Sequence, residues 1–532
     1  MKPVAAWTEA DWIAACAAVG LFACLAVGGL IAARGREDVA GHPRGLFVLF
    51  YAEMWERFSY YGMRALLVLY LTKFWLFADA KANLIYAAYG SLVYITPVLG
   101  GTIADRWLGQ RKAVLFGGAL LALGHLLMAV EGAQGITDPL VKQADPAINV
   151  FWLALALIAT GSGFLKANIS VIVGQLYPPT DGRRDAAYTI FYMGVNVGAA
   201  FGTILVGYLG ETIGWSWGFG LAGIGMVLGL LIFLAGKPSL QGQGEPPAPL
   251  SRGLEYGLYG AGLAAVGVLW ALIQYQDVIQ TLLVVTGVAM LGYTLFEAFK
   301  LDKVARDRIF VILFLIALNP VFWGLFEQAG GSLNLYTDRF VDRQGIPTSL
   351  FQSINPIYIV LLGPVFAGLW QWLARQGLEP SAPAKFGLAL VQVGLSFLVF
   401  VWGARLSGGA LTPVLFVFLI YLLQTTGELC LSPVGLSAMT RLSPVHLGSF
   451  IMGAWFYMTA VGQFVAGRIG EATGGEGGEM SRELTLAVYS KIGWVTLAIA
   501  VVVLVAAPFV RRRMHLAEPL PASPGDGQGE MR

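Results

Sequence analysis

The sequence predicts an all-α membrane protein with about fifteen transmembrane helices, and three observations support that class. Hydrophobic residues make up 57% of the 532 residues and charged residues only 12%, whereas an average soluble domain contains about 25% charged residues. Apolar runs of about 20 residues, the length needed to cross a bilayer, recur along the chain between short polar loops. Because backbone polar groups cannot remain unpaired in hydrocarbon, runs of this length form helices.

The individual helices follow from the composition of each apolar run. Leu, Ala, Gly and Phe dominate the runs, and the 68 glycines of the chain allow helices to pack closely. The predicted spans are residues 12–33, 45–72, 83–104, 113–131, 149–173, 187–210, 216–236, 253–273, 278–299, 309–333, 348–374, 385–404, 413–437, 448–470 and 488–510.

Two polar segments are predicted to lie outside the helices. Residues 237–252, KPSLQGQGEPPAPLSR, form a linker near the middle of the chain, because their Pro and Gly content cannot continue a helix. Residues 511–532 form a disordered cytoplasmic tail. The alternative for the first run, 12–33, is a cleaved signal peptide. Its length and the acidic residues Glu9 and Asp11 in its flank favour a retained helix.

The distribution of Lys and Arg predicts which end of the bundle faces the cytoplasm. With the amino terminus outside, the loops and span ends on the cytoplasmic side carry 21 of the 34 Lys and Arg residues, those on the opposite side carry ten, and three lie deeper within spans. Cytoplasmic loops are enriched in positive residues. We therefore expect the amino terminus outside and the carboxyl terminus in the cytoplasm.

Charge, cysteine content and motifs exclude several classes of protein. Lys and Arg number 34 against 32 Asp and Glu, so no basic field is available to bind nucleic acid. Cys16, Cys24 and Cys430 form no CxxC pair, which indicates small buried hydrophobic residues rather than a disulfide or metal framework. No motif of a catalytic, metal or phosphate-binding site is present. We therefore expect no metal, no cofactor and no enzymatic activity.

Ionisable residues inside four predicted spans are the main functional signal. A charge in the middle of a bilayer costs at least about 2.5 kcal/mol, so each one requires a partner or a function. The second span places Glu53, Arg57, Tyr60, Tyr61 and Arg64 on one helical stripe. The remaining intramembrane charges are Glu56, beside that stripe, Lys166, Glu327 and Glu428.

Two interpretations of these charges are open. Mutual neutralisation would explain a single pair, whereas charges on four spans indicate a hydrated path for ions or a substrate. Prolines lie near several of them, at Pro320, Pro356 and Pro433. Bends at such positions allow half-bundles to rock around a site in the middle of the membrane.

Four segments of the chain, in a fixed order, carry a resemblance to a known family. They are 53–62 (EMWERFSYYG), 101–112 (GTIADRWLGQRK), 191–200 (FYMGVNVGAA) and 427–436 (GELCLSPVGL). Together they resemble the proton-dependent oligopeptide transporter family, a branch of the major facilitator superfamily that imports di- and tripeptides. The first segment fits the family signature ExxERFxYYG without a substitution. The resemblance covers about residues 42–510.

The resemblance implies a particular architecture. Two six-helix halves are expected at 45–236 and 309–510, with the linker and two inserted helices at 237–308 between them, as in bacterial members. Residues 1–44 contain an extra transmembrane helix outside the family pattern, and a passive packing role is the simplest interpretation of it. We also expect a monomer, surrounded by lipid in a bacterial inner membrane.

The same resemblance implies roles for individual side chains at a substrate site. Arg57 and Lys166 are expected to bind the carboxylate of a peptide and Glu428 its ammonium group, an assignment that fits their charges. The other residues expected at the substrate site are Tyr60, Tyr61, Tyr94, Asn196, Trp323, Glu327, Asn355 and Trp455.

Proton coupling is expected to depend on carboxylates, because burial and a neighbouring cation shift the pKa of a carboxyl group in opposite directions. Protonation of Glu53 or Glu56 is expected to release Arg57 or Lys166 for the peptide carboxylate. A bridge between Arg64 and Glu327 is expected to close one gate and to break on protonation. The full set of expected coupling residues is Glu53, Glu56, Arg57, Arg64, Lys166 and Glu327.

Other functions remain open at the level of the sequence. Plant relatives of the family move non-peptide substrates, so a proton-coupled transporter of nitrate, an amino acid or a sugar is the main alternative. A membrane enzyme or receptor lacks support, since no polar segment much longer than about 20 residues is present to hold chemistry or signal. A channel lacks support because nothing resembles a selectivity filter.

Overall fold

Helices make up nearly all of the regular structure in the computed structural model, which describes residues 9–34, 38–178 and 180–516. Each of the fifteen predicted spans overlaps a helix, so the prediction of an all-α membrane protein is confirmed. Thirteen helices among the described residues are long and apolar enough to cross a membrane. The predicted span 45–72 is a 30-residue helix, Arg44–Lys73, outside those thirteen, and it carries four of the intramembrane charges.

The first of two compact units contains the described parts of residues 1–275 and 343–360. Its long helices are bundled side by side, with one short helix in the loop before α6. The helices are α1 (Glu9–Arg34), α2 (Arg44–Lys73), α3 (Asp79–Ile103), α4 (Gln110–Met128), α5 (Pro139–Gln143), α6 (Ala147–Gln175), α7 (Arg184–Thr212), α8 (Trp215–Ala235) and α9 (Arg252–Gln274).

The second compact unit contains residues 276–342 and the described part of 361–532. A helix that begins within 343–360 continues into this unit. The helices are α10 (Gln276–Ala298), α11 (Lys303–Phe326), α12 (Ser332–Phe340), α13 (Ile354–Arg375), α14 (Ala382–Leu406), α15 (Leu415–Leu442), α16 (Gly448–Glu471) and α17 (Arg482–Arg513). Two short strands, β1 (Val341–Asp342) and β2 (Thr412–Pro413), pair in parallel, a feature that the sequence did not predict.

Two predicted boundaries are wrong. The span predicted at 309–333 is not one helix, because α11 ends at Phe326 and α12 begins at Ser332. Gly330 and Gly331 lie in that break and are poor helix formers. The boundary predicted at residue 511 lies inside α17, which continues to Arg513. Three arginines in the last turn of this helix complement its dipole. The rest of the predicted tail, residues 517–532, lies outside the described residues.

The extra first helix packs against the signature helix. Phe22 of α1 contacts the rings of Trp55 and Phe58 edge to face, at centroid distances of 4.7 and 5.8 Å. Arg44 Nε donates a hydrogen bond to the carbonyl of Ala32 at 2.9 Å. The prediction that all three cysteines are buried is wrong for the two in α1, which are exposed, whereas Cys430 is buried. In the described part of the chain α1 packs mainly against α2 and α8, which leaves part of its surface exposed.

Candidate functional site

Three charged side chains of α2 form an ion cluster, defined here as Glu53, Glu56 and Arg57. Arg57 Nε donates a hydrogen bond to Glu53 Oε1 at 2.7 Å and lies 2.9 Å from Glu56 Oε2. Residues four apart on a helix lie one turn above each other, which brings Glu53 and Arg57 together. All three side chains are buried, and Glu56 is 0% exposed.

The carboxylates of the ion cluster have few hydrogen bonds for buried groups. Oε2 of Glu53 and both carboxylate oxygens of Glu56 accept no hydrogen bond from the described residues. Lys166 acts electrostatically on Glu56 from α6. Because a buried polar atom without a partner is costly, a hydrogen-bond donor that reached these oxygens would be stabilised there.

Glycines of α7 allow that helix to approach the ion cluster closely. Gly194 and Gly198 belong to the segment 191–200, and a Cβ atom on Gly198 would collide with the backbone carbonyl of Met54. A Cβ atom on Gly194 would lie 2.8 Å from the ring of Phe50. The glycines of this motif therefore serve helix packing, which holds the α2 backbone in position next to the charges.

Lys166 on α6 faces an aromatic ring of the neighbouring helix α3. Its Nζ atom is 4.1 Å from the ring centroid of Tyr94 on α3, a cation–π geometry. The backbones of α3 and α6 touch nearby, since a Cβ atom on Gly100 would collide with the carbonyl of Gly163. This close approach explains Gly163 of the segment GSGFLKAN, while Gly161 allows α4 to approach in the same way.

Arg64 is positioned by tyrosines. Its Nε atom donates a hydrogen bond to the hydroxyl of Tyr86 at 2.5 Å, and its guanidinium carbon lies 5.6 Å from the ring centroid of Tyr61. The rings of Tyr60 and Tyr61 are 5.3 Å apart. Sequence reasoning missed Tyr86, although it lies eight residues before Tyr94 and therefore on the same face of α3.

Two asparagines of the expected substrate site also belong to the first unit. Asn196 is buried, and its Nδ2 atom donates a hydrogen bond to the carbonyl of Tyr192 at 3.0 Å. Asn355 is half-buried in the first turn of α13, within the segment 343–360. The structure groups that segment with the first unit, whereas the predicted span 348–374 was expected to belong to the second half of the chain.

Glu327 lies at the break between α11 and α12, in a 3₁₀ turn that covers Glu327–Ala329. The adjacent Gln328 secures this turn: its Nε2 atom donates hydrogen bonds to the carbonyls of Gly324 at 2.8 Å and Ala466 at 3.0 Å. The hydroxyl of Ser332 donates to Gln328 Oε1 at 2.5 Å. The role of Gln328 was not predicted from the sequence. The neighbouring Gly330 and Gly331 were the only signal that a helix break lies here.

The remaining expected residues lie on three helices of the second unit. Trp323 is half-buried on α11, one turn before Glu327, and Glu428 is half-buried on α15. Trp455 on α16 is buried, and its ring lies where a Cβ atom on Gly435 would be. Thr459, one turn further along α16, donates a hydrogen bond to the side chain of Asn319 at 3.3 Å.

Each unit therefore gathers part of the expected site. The first unit holds Glu53, Glu56, Arg57, Tyr60, Tyr61, Arg64, Tyr94, Lys166, Asn196 and Asn355. The second unit holds Trp323, Glu327, Glu428 and Trp455. Since Arg64 and Glu327 belong to different units, their expected bridge stays a prediction.

Comparison with known proteins shows which family and which transporters the chain resembles. A family model described as "POT family" matches residues 111–474 of the chain. The chain is 36% identical to the peptide transporter YePEPT of Yersinia enterocolitica over 468 residues, which are 82% of this chain and 89% of that protein. It is 32% identical to dipeptide and tripeptide permease B of Shigella dysenteriae over 491 residues, which are 90% of this chain and 97% of that protein.

A solved structure shows the same similarity in three dimensions. The crystal structure of a peptide transporter POT in complex with sulfate superposes with a TM-score of 0.77 and 34% sequence identity. The match covers 91% of this chain and 98% of that one. The similarity therefore extends over nearly the whole transporter fold.

Proposed function

The chain belongs to the POT family, and from this we propose that it imports di- and tripeptides together with protons by alternating access. The observation that carries the proposal is the buried ion cluster with its unsatisfied carboxylate oxygens, in a chain whose relatives are peptide transporters. A proton that moves down 100 mV releases about 2.3 kcal/mol, enough to accumulate a peptide tens-fold.

The ion cluster is the proposed site of proton coupling. Arg57 is shared by two carboxylates in the described structure. When one of these carboxylates takes up a proton, the other balances only one of the two positive charges on Arg57 and Lys166. The second positive charge is then available to bind a peptide carboxylate. Peptide binding and protonation therefore favour each other, which is the condition for symport.

The two ends of a peptide are proposed to bind groups of opposite charge. Arg57 offers a planar fork that fits a carboxylate, and Lys166 adds a second positive charge. Glu428 accepts hydrogen bonds from the ammonium end. Side chains of the peptide vary, so aromatic and amide groups suit the rest of the site, namely Tyr60, Tyr61, Tyr94, Asn196, Trp323, Glu327, Asn355 and Trp455.

Alternating access is proposed to involve two halves, residues 45–236 and 309–510, with 237–308 as an inserted segment. The proposed gate is a bridge between Arg64 and Glu327 that forms in one state and breaks in the other. The position of Glu327 at a helix break supports its place at the transport path, because non-helical backbone within a membrane lines a cavity or is covered by protein.

The membrane placement completes the proposal. We place the protein in the inner membrane of a bacterium as a monomer, with its amino terminus outside and its carboxyl terminus in the cytoplasm. Residues 1–44 add one span before the first half, and 511–532 extend beyond the last one. The excess of Lys and Arg in the alternate loops supports this orientation.

Uptake of dialanine by the purified protein in proteoliposomes tests the function. With an inward proton gradient, dialanine should accumulate above its external concentration, and a protonophore should abolish the accumulation. Empty liposomes and an ion-cluster variant are the controls. Accumulation of nitrate, alanine or glucose without dialanine uptake would mean that the substrate is that solute and not a peptide. A dialanine flux that the protonophore does not change would indicate a channel.

A further inference from the structure

A large apolar groove in the second unit has no part in the proposed transport site. It lies between α10, α11, α16 and α17 and has a volume of about 1230 Å³. Aliphatic side chains line almost its whole length, among them Leu283, Val284, Ile316 and Val495. In a membrane, such a groove is filled by hydrocarbon, since water would leave its apolar surface unfavourably hydrated.

The helix α10 forms one wall of the groove and contacts α16 at several points along its length. The hydroxyl of Tyr457 on α16 donates a hydrogen bond to the carbonyl of Leu283 and lies 2.9 Å from the hydroxyl of Thr286. Close to these two contacts on α10, Val284 and Val288 are 59% and 67% exposed, and both line the groove. Part of α10 therefore faces the groove without being covered by the rest of the bundle.

Polar groups are found at one end of the groove, where α10 and α17 begin and α16 ends. Arg468 lies between two carboxylates there, Asp277 at 3.0 Å and Glu471 at 2.8 Å, so this trio carries one net negative charge. Lys491 on α17 is exposed and makes no ion pair or hydrogen bond within the described chain. Trp494, one turn further, is 63% exposed, as is typical of residues at the membrane surface.

We propose that this groove binds one phosphatidylethanolamine molecule. An acyl chain of this lipid fills the apolar groove. Its phosphate binds Lys491, and its ammonium group binds the carboxylates around Arg468. The charges at this end of the groove determine which headgroup fits. Lys491 is positive, and the cluster of Asp277, Arg468 and Glu471 has a net negative charge, so together they fit a zwitterionic headgroup. A primary ammonium can donate hydrogen bonds to Asp277, whereas the quaternary ammonium of phosphatidylcholine cannot.

Native mass spectrometry of the full-length protein in detergent tests this proposal, with equal amounts of phosphatidylethanolamine, phosphatidylcholine and phosphatidylglycerol added. One molecule of phosphatidylethanolamine should remain bound at collision energies that remove the other two. Lys491→Gln should weaken its binding about fivefold, the worth of one lysine near a lipid surface. Asp277→Asn should remove the preference for phosphatidylethanolamine over phosphatidylglycerol.

Two matched controls separate specific binding from the surrounding lipid shell. Val284→Trp fills the groove and should abolish retention, while Val285→Trp, on the neighbouring exposed position outside the groove, should not. Arg511→Gln removes a cation from the opposite end of α17 and should leave retention unchanged. Equal retention of the three lipids, or equal behaviour of the two tryptophan variants, would overturn the proposal. Because lipid retention is measured without transport, this result is independent of the peptide proposal.

Discussion

Arg57 Nε lies 2.9 Å from Oε2 of Glu56, a carboxylate that accepts no hydrogen bond from the rest of the described chain. The pair is therefore held by charge attraction in a buried environment, without the hydrogen bonds that usually accompany a buried carboxylate. Removal of one partner from such a pair is strongly destabilising, because it leaves an uncompensated charge. A proton or a substrate that changes the charge of this pair should therefore strongly shift the equilibrium between the conformations of the transporter.

Glu56→Gln is expected to uncouple transport from the proton gradient. The amide cannot bind or release a proton, so gradient-driven accumulation of dialanine should be abolished while counterflow exchange across the membrane continues. Proteoliposome assays with and without a gradient measure the two activities separately. If gradient-driven accumulation survives in this variant at the wild-type level, Glu56 is not the coupling residue.

Lys166→Ala is expected to impair both gradient-driven uptake and exchange. The variant removes the ammonium that faces Tyr94, and with it one positive charge proposed to bind the peptide carboxylate. Loss of a hydrogen bond to a charged group costs about 1.5–3 kcal/mol, so KM for dialanine should rise at least tenfold. Lys166→Arg, which keeps the charge, is the control. Normal exchange by the alanine variant would exclude Lys166 from the binding site.

Glu428→Gln is expected to affect peptides that carry a free ammonium group and to spare those that do not. KM for dialanine should rise about tenfold, because the charge-assisted bond to the ammonium is lost. Competition by N-acetyl-dialanine, which has no ammonium group, should be the same in the variant and the wild type. A parallel loss for both compounds would mean that Glu428 acts on the structure of the site and not on the peptide amino terminus.

Glu211→Ala is expected to loosen the 3₁₀ helix Thr348–Ser353, which precedes α13. The Glu211 carboxylate accepts hydrogen bonds from the backbone N–H groups of Ser349 at 2.6 Å and Thr348 at 3.1 Å. Loss of such a cap costs about 1 kcal/mol, which corresponds to about fivefold faster amide exchange at these two positions. Hydrogen exchange of peptides that cover 343–353 measures the change. Asp185→Asn, an exposed acid on the same helix, serves as the control, and equal exchange in both variants would contradict the capping role.

Acidification is expected to release the loop 129–146, which lies between α4 and α6. Hydrogen bonds from the backbone N–H groups of Ala147 and Ala133 hold the pKa of Asp145 below its usual value of about 3.9. Because the pKa of Asp145 is lower in the folded loop than in the unfolded chain, its carboxylate stabilises the folded loop at pH values above the unfolded-state pKa. This stabilisation is lost as the pH falls through the folded-state pKa. Exchange protection of the loop, relative to a free peptide at the same pH, should be equal at pH 7 and 5 and should fall below about pH 4. Asp145→Asn should remove this dependence, and an unchanged profile in that variant would assign it to another group.

The placement of helices could be predicted from the sequence with only small errors, whereas the assignment of residues to a common site could not. The ion cluster of α2 was predictable, because Glu53 and Arg57 are one turn apart on a single helix. The contact of Arg64 with Tyr86 was not, since it depends on how α2 and α3 are rotated against each other. Asn355 likewise belongs to the first unit only because Glu211 and its neighbours contact the segment 343–360.

Composition and the order of the motifs were sufficient for the membrane class, the approximate placement of the helices and the family resemblance. This is because hydrocarbon allows few backbone structures and because helical periodicity is local. The helix break at Glu327, the tyrosines around Arg64 and the groove beside α10 required the folded chain. Each of these features depends on contacts between segments that are distant in sequence, and no local pattern records the rotation and spacing of packed helices.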